Sequence, residues 1–304
     1  MPKRMTRPIA GTLAAATAAT LTASSVGPAG GDSRSILSST AHAAQDVVAE
    51  QVADQVAAQP PAAEPQVADG SGTREEKFRA AMARQAEEAG QTFSVAVRDD
   101  ATGQTWTYAP ERRYMEASVV KVSIVLSLIR QATEEGRGLS DEEIELSRLM
   151  ITKSDNDATN ELYARIGGNV GLGGTYELLG MSGTESGPGW GGSLTTAEDQ
   201  LKVVEAVTKG TDWLDEDQRG YLLELMNSVE GSQYWGVPAG TRDAAVAVKN
   251  GWLQDEDGLW SVNSIGHVSE GADDYSIAVL SAGSAAMDDG VSLVEDVAAI
   301  VHDL

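Results

Sequence analysis

Ala117-Ser118-Val119-Val120-Lys121 opens a run that continues through Val122, Ile124, Val125, Leu126, Leu128 and Ile129. Apolar residues on nearly every side predict a helix buried inside the fold rather than lying on its surface. Ser118 and Lys121 stand three residues apart, which places them on one face of that helix, one turn apart. Burial disfavours the charged form of a lysine and lowers its pKa, so a lysine here can act as base for the neighbouring hydroxyl. Taken singly, the pair reads equally well as an amphipathic helix start whose lysine snorkels to water. The rest of the chain has to separate the two readings.

Upstream of this helix, Arg74 to Ala89 is amphipathic, with Phe78, Ala81, Met82 and Ala89 on one side. Thr92 to Arg98 alternates as a strand, and Asp99-Asp100-Ala101-Thr102-Gly103 turns it into a second one, Thr105–Tyr108. Downstream, Ser140-Asp141-Glu142-Glu143 is a capping box opening a helix. Asp155 to Ile166 reads as a further helix ended by Gly167-Gly168. Gly180 to Ser193 is glycine-rich and irregular, Thr195-Thr196-Ala197-Glu198 caps the next helix, and Asp215 to Val229 gives one more. Ala244–Val248, Leu259–Val268 and Tyr275–Ala282 read as strands, and Ser292 to His302 as a closing helix. Strands near both ends with helices between them predict an α/β chain of the α+β type. Its five-stranded antiparallel sheet is built from both termini, flanked by helices, and carries an all-helical insertion.

The chain has 304 residues, 41% of them hydrophobic, and no cysteine, which leaves neither a disulfide framework nor a lipid-bearing thiol. Lys3, Arg4 and Arg7 precede an Ala/Thr/Leu stretch from Ile9 to Leu21, and Ala41-His42-Ala43 offers a small-x-small cleavage site. Residues 1–43 therefore read as a secretory signal, with an uncleaved N-terminal anchor as the other reading. Residues 44–72, rich in Ala, Pro and acid, read as a flexible spacer, and 73–304 as the folded domain. The net charge is −24; residues 1–43 hold Lys3, Arg4, Arg7 and Arg34 against Asp32, so the processed chain would stand near −27. Such a charge excludes nucleic acid and anionic membrane surfaces as partners and suits a secreted, soluble, monomeric protein without a membrane span after processing.

Two further motifs follow the helix-start pair in order. Ser154-Asp155-Asn156 lies between helices, where Ser154 or Asp155 would also cap the second one. Lys249-Asn250-Gly251 comes directly after the strand Ala244–Val248 and, on its own, is a turn-like stretch. With Ser-x-x-Lys, Ser-Asp-Asn and Lys-x-Gly in this order, residues 74 to 304 resemble the class A serine β-lactamases and penicillin-binding proteins, whose signature is Ser-x-x-Lys, Ser-Asp-Asn and Lys-Thr-Gly.

The resemblance implies a serine hydrolase acting on β-lactams or D-alanyl-D-alanine-like cell-wall peptides, without cofactor or metal. It makes Ser118 the acylated nucleophile, Lys121 its proton acceptor, Ser154 the donor to the leaving nitrogen and Lys249 the support for Ser154. Asn156 would hold the substrate's side-chain amide. Gly251 and Trp252 would border the substrate, the Trp252 N–H joining that of Ser118 as an oxyanion donor. A DD-peptidase or esterase would share this machinery, and a catalytically silent protein that binds cell-wall fragments would keep only the fold.

Two departures stand out. Asn250 occupies the place of a threonine or serine whose hydroxyl binds the substrate carboxylate; asparagine can still donate, but is longer. The Glu-x-x-Leu-Asn loop that activates the deacylating water in class A enzymes has no counterpart between Ser154 and Thr195. Its place is taken by the short stretch 183–190, where Glu185 is the single acid: either a deacylation base or a solvated loop charge. The Ser118–Ser154 interval is also short, implying a trimmed helical part. Other reactive residues are weaker. His267 and His302 lack a nucleophile elbow, Asp255-Glu256-Asp257 reads as a solvated turn rather than a calcium site, and Trp252 and Trp260 suit either a cleft or the core.

Overall fold

A computed structural model describes residues 73–187, 189–270 and 273–304. The expected signal over 1–43 and spacer over 44–72 lie outside the described residues. Helix α1 (Arg74–Ala89) leads into strands β1 (Thr92–Asp99) and β2 (Thr105–Tyr108). A short strand β3 (Tyr114–Met115) and a 3₁₀ turn over Ala117–Val119 precede α2 (Val120–Glu134). Then come α3 (Asp141–Thr152), α4 (Asn156–Arg165), α5 (Asn169–Leu178), a 3₁₀ turn at Trp190–Gly192 and β4 (Leu194–Thr195). Helices α6 (Ala197–Lys209) and α7 (Glu216–Asn227) follow, and the chain closes with β5 (Ala245–Gln254), β6 (Trp260–Glu270), β7 (Asp273–Ser284) and α8 (Met287–His302).

The five long strands form one antiparallel sheet in the order β2-β1-β7-β6-β5, so N- and C-terminal segments meet at the β1–β7 pairing, as the sequence implies. Alternation along the strands sends Val95, Val97, Val248, Val262, Ile277 and Val279 to one face, where Phe78 and Met82 of α1 and Leu293, Val294 and Val297 of α8 cover them. The opposite face, with Ala96, Ala247, Ile265, Ala278 and Leu280, packs beneath the central helices. At the centre of that second core is α2, whose Val120, Val122, Ile124, Val125 and Leu126 are fully buried. Each such side chain contributes about 1.5–3 kcal/mol, enough together to offset the cost of taking Lys121 out of water on the same helix. Among the described residues, no helix is long and apolar enough to cross a membrane.

The starts of α3 and α6 follow the caps read from the sequence: Ser140 with Glu143 forms a capping box, and Thr196 caps α6 by accepting from the Asp199 N–H. Thr73 with Glu76 and Asp215 with Gln218 form further capping boxes that are absent from the sequence reading, and Gly90 ends α1 in the left-handed conformation at φ 66°.

Three features differ from the sequence reading. The segment carrying Ser118 begins as a 3₁₀ turn, and the α-helix starts only at Val120. Lys249-Asn250-Gly251 lies on a late strand, as its order in the chain implies, but that strand does not end at Val248: the motif is the middle of β5, because its pairing to Ile265, Ser264 and Asn263 of β6 continues as far as Gln254. Helix α5 has no counterpart in the sequence reading. Its Gly171, Gly173 and Gly174 each cost about 1 kcal/mol against alanine, and propensity gives no reason to expect it. Packing supplies the reason: a Cβ at Gly171 would come 1.8 Å from the Ile166 carbonyl oxygen, so glycine there lets α5 close on the preceding turn.

Candidate active site

Ser118 is partly exposed at the start of the buried helix, and the backbone around it is held on three sides. Ala117, just before it, has φ 49°, a left-handed conformation that a non-glycine residue adopts only where its surroundings impose it. Upstream, the Glu116 N–H donates to the Ser193 carbonyl at 2.9 Å. Asn263 of β6 donates through its side-chain amide to the carbonyls of Met115 (2.8 Å) and Glu116 (3.1 Å). On the third side runs β5: a Cβ on Gly251 would lie 2.7 Å from the Ser118 nitrogen and 2.8 Å from that of Val119. Only glycine lets the edge strand approach so closely. Gly251→Ala is expected to overpack this contact and cost about 1–3 kcal/mol, read as a lower urea midpoint; an unchanged midpoint would show that the strand can yield.

Lys121 is fully buried. Its Nζ donates to the Ser154 carbonyl at 2.7 Å, to Asn156 Oδ1 at 2.8 Å and to Ser154 Oγ at 3.1 Å, which engages all three protons of an ammonium. Nζ also lies over the face of Trp190, whose ring centroid is 5.0 Å away. Burial pulls the Lys121 pKa down to about 7, against a smaller upward effect of the Asp155 charge. Ser154 itself has φ 57°, a second strained non-glycine residue, and Asp155 behind it caps α4 by accepting from the Ala158 N–H at 2.7 Å. From the other direction Lys249, also buried, donates to the same Ser154 Oγ at 3.1 Å and to the Asn250 carbonyl at 2.8 Å. Burial first, and then the Lys121 charge, hold the Lys249 pKa well below the usual lysine range. One hydroxyl thus stands 3.1 Å from each of two buried amines. It is placed to pass a proton between them and whatever binds beside it.

The structure brings Ser154, Asn156 and Lys249 to Lys121, one turn from Ser118, and sets the Gly251–Trp252 backbone against the Ser118 turn. It does not bring the Asn250 side chain or Glu185 into this cluster. Strand alternation turns Asn250 away from the face that Lys249 and Gly251 share, and its Nδ2 donates to the carbonyls of Gln233 (2.8 Å) and Trp235 (3.0 Å). Both amide protons are therefore committed to backbone. The Trp252 ring follows the same alternation and packs on Trp235, 5.9 Å between centroids. Glu185 exchanges backbone hydrogen bonds with Leu194, which leaves its side chain exposed and paired with Arg113 at 3.4 Å.

The sequence reading missed Glu116, Asn263, Trp190 and Asn160. Glu116 is fully buried, accepting from Tyr176 Oη at 2.6 Å and Gln200 Nε2 at 2.7 Å. Burial raises its pKa to about 7, with the Asp199 charge adding to the rise and the hydrogen bonds opposing it. A carboxylic acid two residues before the serine, next to a long apolar run, was the available signal. Among the described residues, Asp100, His267 and Asp274 form a group with metal-ligand chemistry. However, His267 Nε2 already meets Asp274 at 2.8 Å, and Asp100 is paired with Lys209 and Arg98, so the group reads as an ion-pair network.

A profile described as the beta-lactamase enzyme family matches residues 74–148 and 144–304. "Putative lipoprotein LppW" of Mycobacterium tuberculosis is 30% identical over 201 residues, 64% of this chain and 63% of that protein, and the Mycobacterium bovis protein of the same name matches equally. The chain therefore spans 63% of the length of these curated relatives. Among solved structures, the fold is similar to that of the TLA-1 extended-spectrum β-lactamase (TM-score 0.69, 15% identity, 76% of this chain and 99% of that one). It is similar also to a class A β-lactamase from Bacteroides cellulosilyticus (0.68, 17%, 77% and 98%) and to PBP-A (0.64, 20%, 73% and 94%). At such identities the likeness concerns the fold.

Proposed function

We propose, because this chain belongs to the beta-lactamase enzyme family and has the fold of class A members, that it is an exported acyl hydrolase with Ser118 as nucleophile. Its substrates would be a β-lactam or a D-alanyl-D-alanine-like amide. The observation that carries this reading is the Ser154 hydroxyl held 3.1 Å from both Lys121 and Lys249, one helical turn from Ser118. Neutral Lys121 takes the proton of Ser118 Oγ as that oxygen bonds to the acyl carbon. Negative charge gathers on the former carbonyl oxygen between the N–H groups of Ser118 and Trp252. As the carbon–nitrogen bond breaks, the proton passes through Ser154 Oγ to the leaving nitrogen; Lys249 supports that hydroxyl by its hydrogen bond and, when protonated, attracts a substrate carboxylate. Water then has to free the serine. In this reading residues 1–43 direct export, 44–72 serve as spacer and 73–304 form the catalytic domain of a monomer. The lipoprotein name of the mycobacterial relatives agrees with export.

A second reading, a penicillin-trapping DD-peptidase or esterase, has one specific support. Glu185 faces solvent, and Lys121 donates its hydrogen bonds to a carbonyl, a hydroxyl and an amide rather than to a carboxylate. Acylation is equipped and release is not, which favours a persistent acyl-enzyme over rapid antibiotic destruction.

Intact-mass spectrometry after mixing with benzylpenicillin tests both readings. The expected result is a gain of one whole penicillin, since opening the lactam ring keeps the leaving nitrogen attached, and loss of that gain in Ser118→Ala. An unmodified wild-type protein at high penicillin concentration would overturn the proposal. A gain that vanishes within seconds would favour a true β-lactamase over the trapping reading.

A further inference from the structure

Between Glu185 and Leu194 the chain makes a closed loop, its ends joined by two backbone hydrogen bonds of 2.8 and 2.9 Å. It is tied to α5, since the Asn169 side chain donates to the Gly187 carbonyl at 2.5 Å, and to the Ser118 turn through the Glu116–Ser193 bond. From this loop one large side chain, Trp190, reaches inward. It is only 8% exposed, it belongs to the same core as α2, and its indole Nε1 donates to Asn160 Oδ1 of α4 at 2.9 Å. Its ring face lies against Lys121 Nζ, 5.0 Å from the ring centroid, beside the Ser154 and Asn156 groups that accept from that amine.

A water able to free an acylated Ser118 has to stand beside a base. Its oxygen bonds to the acyl carbon, the bond from that carbon to Ser118 Oγ breaks, one water proton goes to the base and a proton returns to Ser118 Oγ. The space between Lys121 and the loop would suit such a water, because Lys121 Nζ and Asn160 Oδ1 both border it and a bound water needs two to four polar partners. The indole fills that space and claims the Asn160 oxygen.

We infer that Trp190 is a shielding residue: its ring excludes from the Lys121 side of the site the water that would release an acyl group from Ser118, and so sets the lifetime of the acyl-enzyme. This deepens the proposed function and rests on it for the acyl group, though not for the exclusion of water. Trp190 touches Lys121 rather than substrate and acts through it.

The test compares wild type, Trp190→Phe and Trp190→Ala by two measurements. The first is the penicillin adduct followed by intact mass, with acylation and release timed separately. Trp190→Ala is expected to release the acyl group at least about tenfold faster, while its acylation rate on the high-pH plateau, where Lys121 is neutral in both proteins, stays within about threefold. Trp190→Phe keeps a ring over Lys121 and loses the bond to Asn160; it is expected to release like wild type. The second needs no substrate: NMR titration of ¹³C-labelled lysine, with the Lys121 signal assigned by Lys121→Met. Water entering beside Nζ in Trp190→Ala is expected to move the Lys121 titration up from about 7 toward the ordinary lysine range. Folding of each variant is checked by its melting curve. If a folded Trp190→Ala leaves both the release rate and the titration unchanged, or if Trp190→Phe releases as fast as Trp190→Ala, the shielding role is overturned. If wild type forms no adduct, the proposed function fails, and the titration still decides whether Trp190 keeps water from Lys121.

Discussion

Lys121→Ala is expected to slow acylation of Ser118 by about 10²–10⁴-fold, the range that general-base catalysis supplies. The basis is geometric as well as electrostatic. Lys121 stands one turn from Ser118, and its three hydrogen bonds aim Nζ at Ser154 and Asn156. Its pKa of about 7, lowered by burial, leaves about half of it neutral, and so able to take a proton, at pH 7. Acylation in wild type should accordingly rise as pH passes upward through about 7 and level off above it, because the neutral form is the competent one. In Lys121→Ala the residual rate should lose that inflection. Stopped-flow acylation with a chromogenic β-lactam between pH 5 and 9 measures both. A variant acylating at wild-type rate would remove Lys121 from the mechanism. If wild type binds ligand without acylation and Lys121→Ala binds equally well, the chain is a silent binding protein.

The second large effect concerns stability. Glu116→Gln is expected to stabilise the fold by about 3 kcal/mol at pH 8 while changing little at pH 4. The carboxyl titrates near 4.5 when exposed and at about 7 in the folded protein. Below 4.5 both states hold the proton and the residue costs nothing. Between 4.5 and about 7 the unfolded chain releases its proton while the folded chain keeps it, so the contribution to stability falls as pH rises. Above about 7 the folded state buries a carboxylate facing Tyr176, Gln200, Ser193 and the like-charged Asp199, and the loss is complete. Glutamine keeps the shape and carries no charge. Urea midpoints of both proteins across pH 4–8.5 give the difference directly, which cancels the titration of the other acids. Parallel curves would show that Glu116 is ionised throughout or in contact with water. Since Glu116 also tethers the backbone two residues before Ser118, the same variant reports whether that tether must titrate for acylation to occur.

Most of the architecture was legible because its signals are local. Caps such as Ser140 with Glu143 and the apolar run after Lys121 each act within a turn or two of chain, so short-range chemistry fixes them. Helix α5 was not legible, because its three glycines oppose a helix and only the close approach of Gly171 to Ile166 favours one. The extent of β5 was hidden for a related reason. Lys249-Asn250-Gly251 has turn-like composition, and the β6 strand that keeps it extended lies beyond an intervening turn.

Within the site the division is similar. Order and spacing named Lys121, Ser154, Asn156 and Lys249, whose side chains gather one turn from Ser118, since each motif is contiguous and carries its chemistry with it. The fate of Asn250, Glu185 and Trp190 was settled only by the fold. Asn250 lies on a strand whose alternation gives its amide to the 233–235 backbone. The Glu185–Leu194 bridge turns the loop's acid to solvent, while its tryptophan, 8% exposed, goes to Lys121. The sequence by itself determined which residues are the candidates to attack and relay a proton, because those candidacies belong to residue types at short spacing. Only the tertiary structure decided what stands beside Lys121 where water would be needed, because that depends on packing between segments some seventy residues apart.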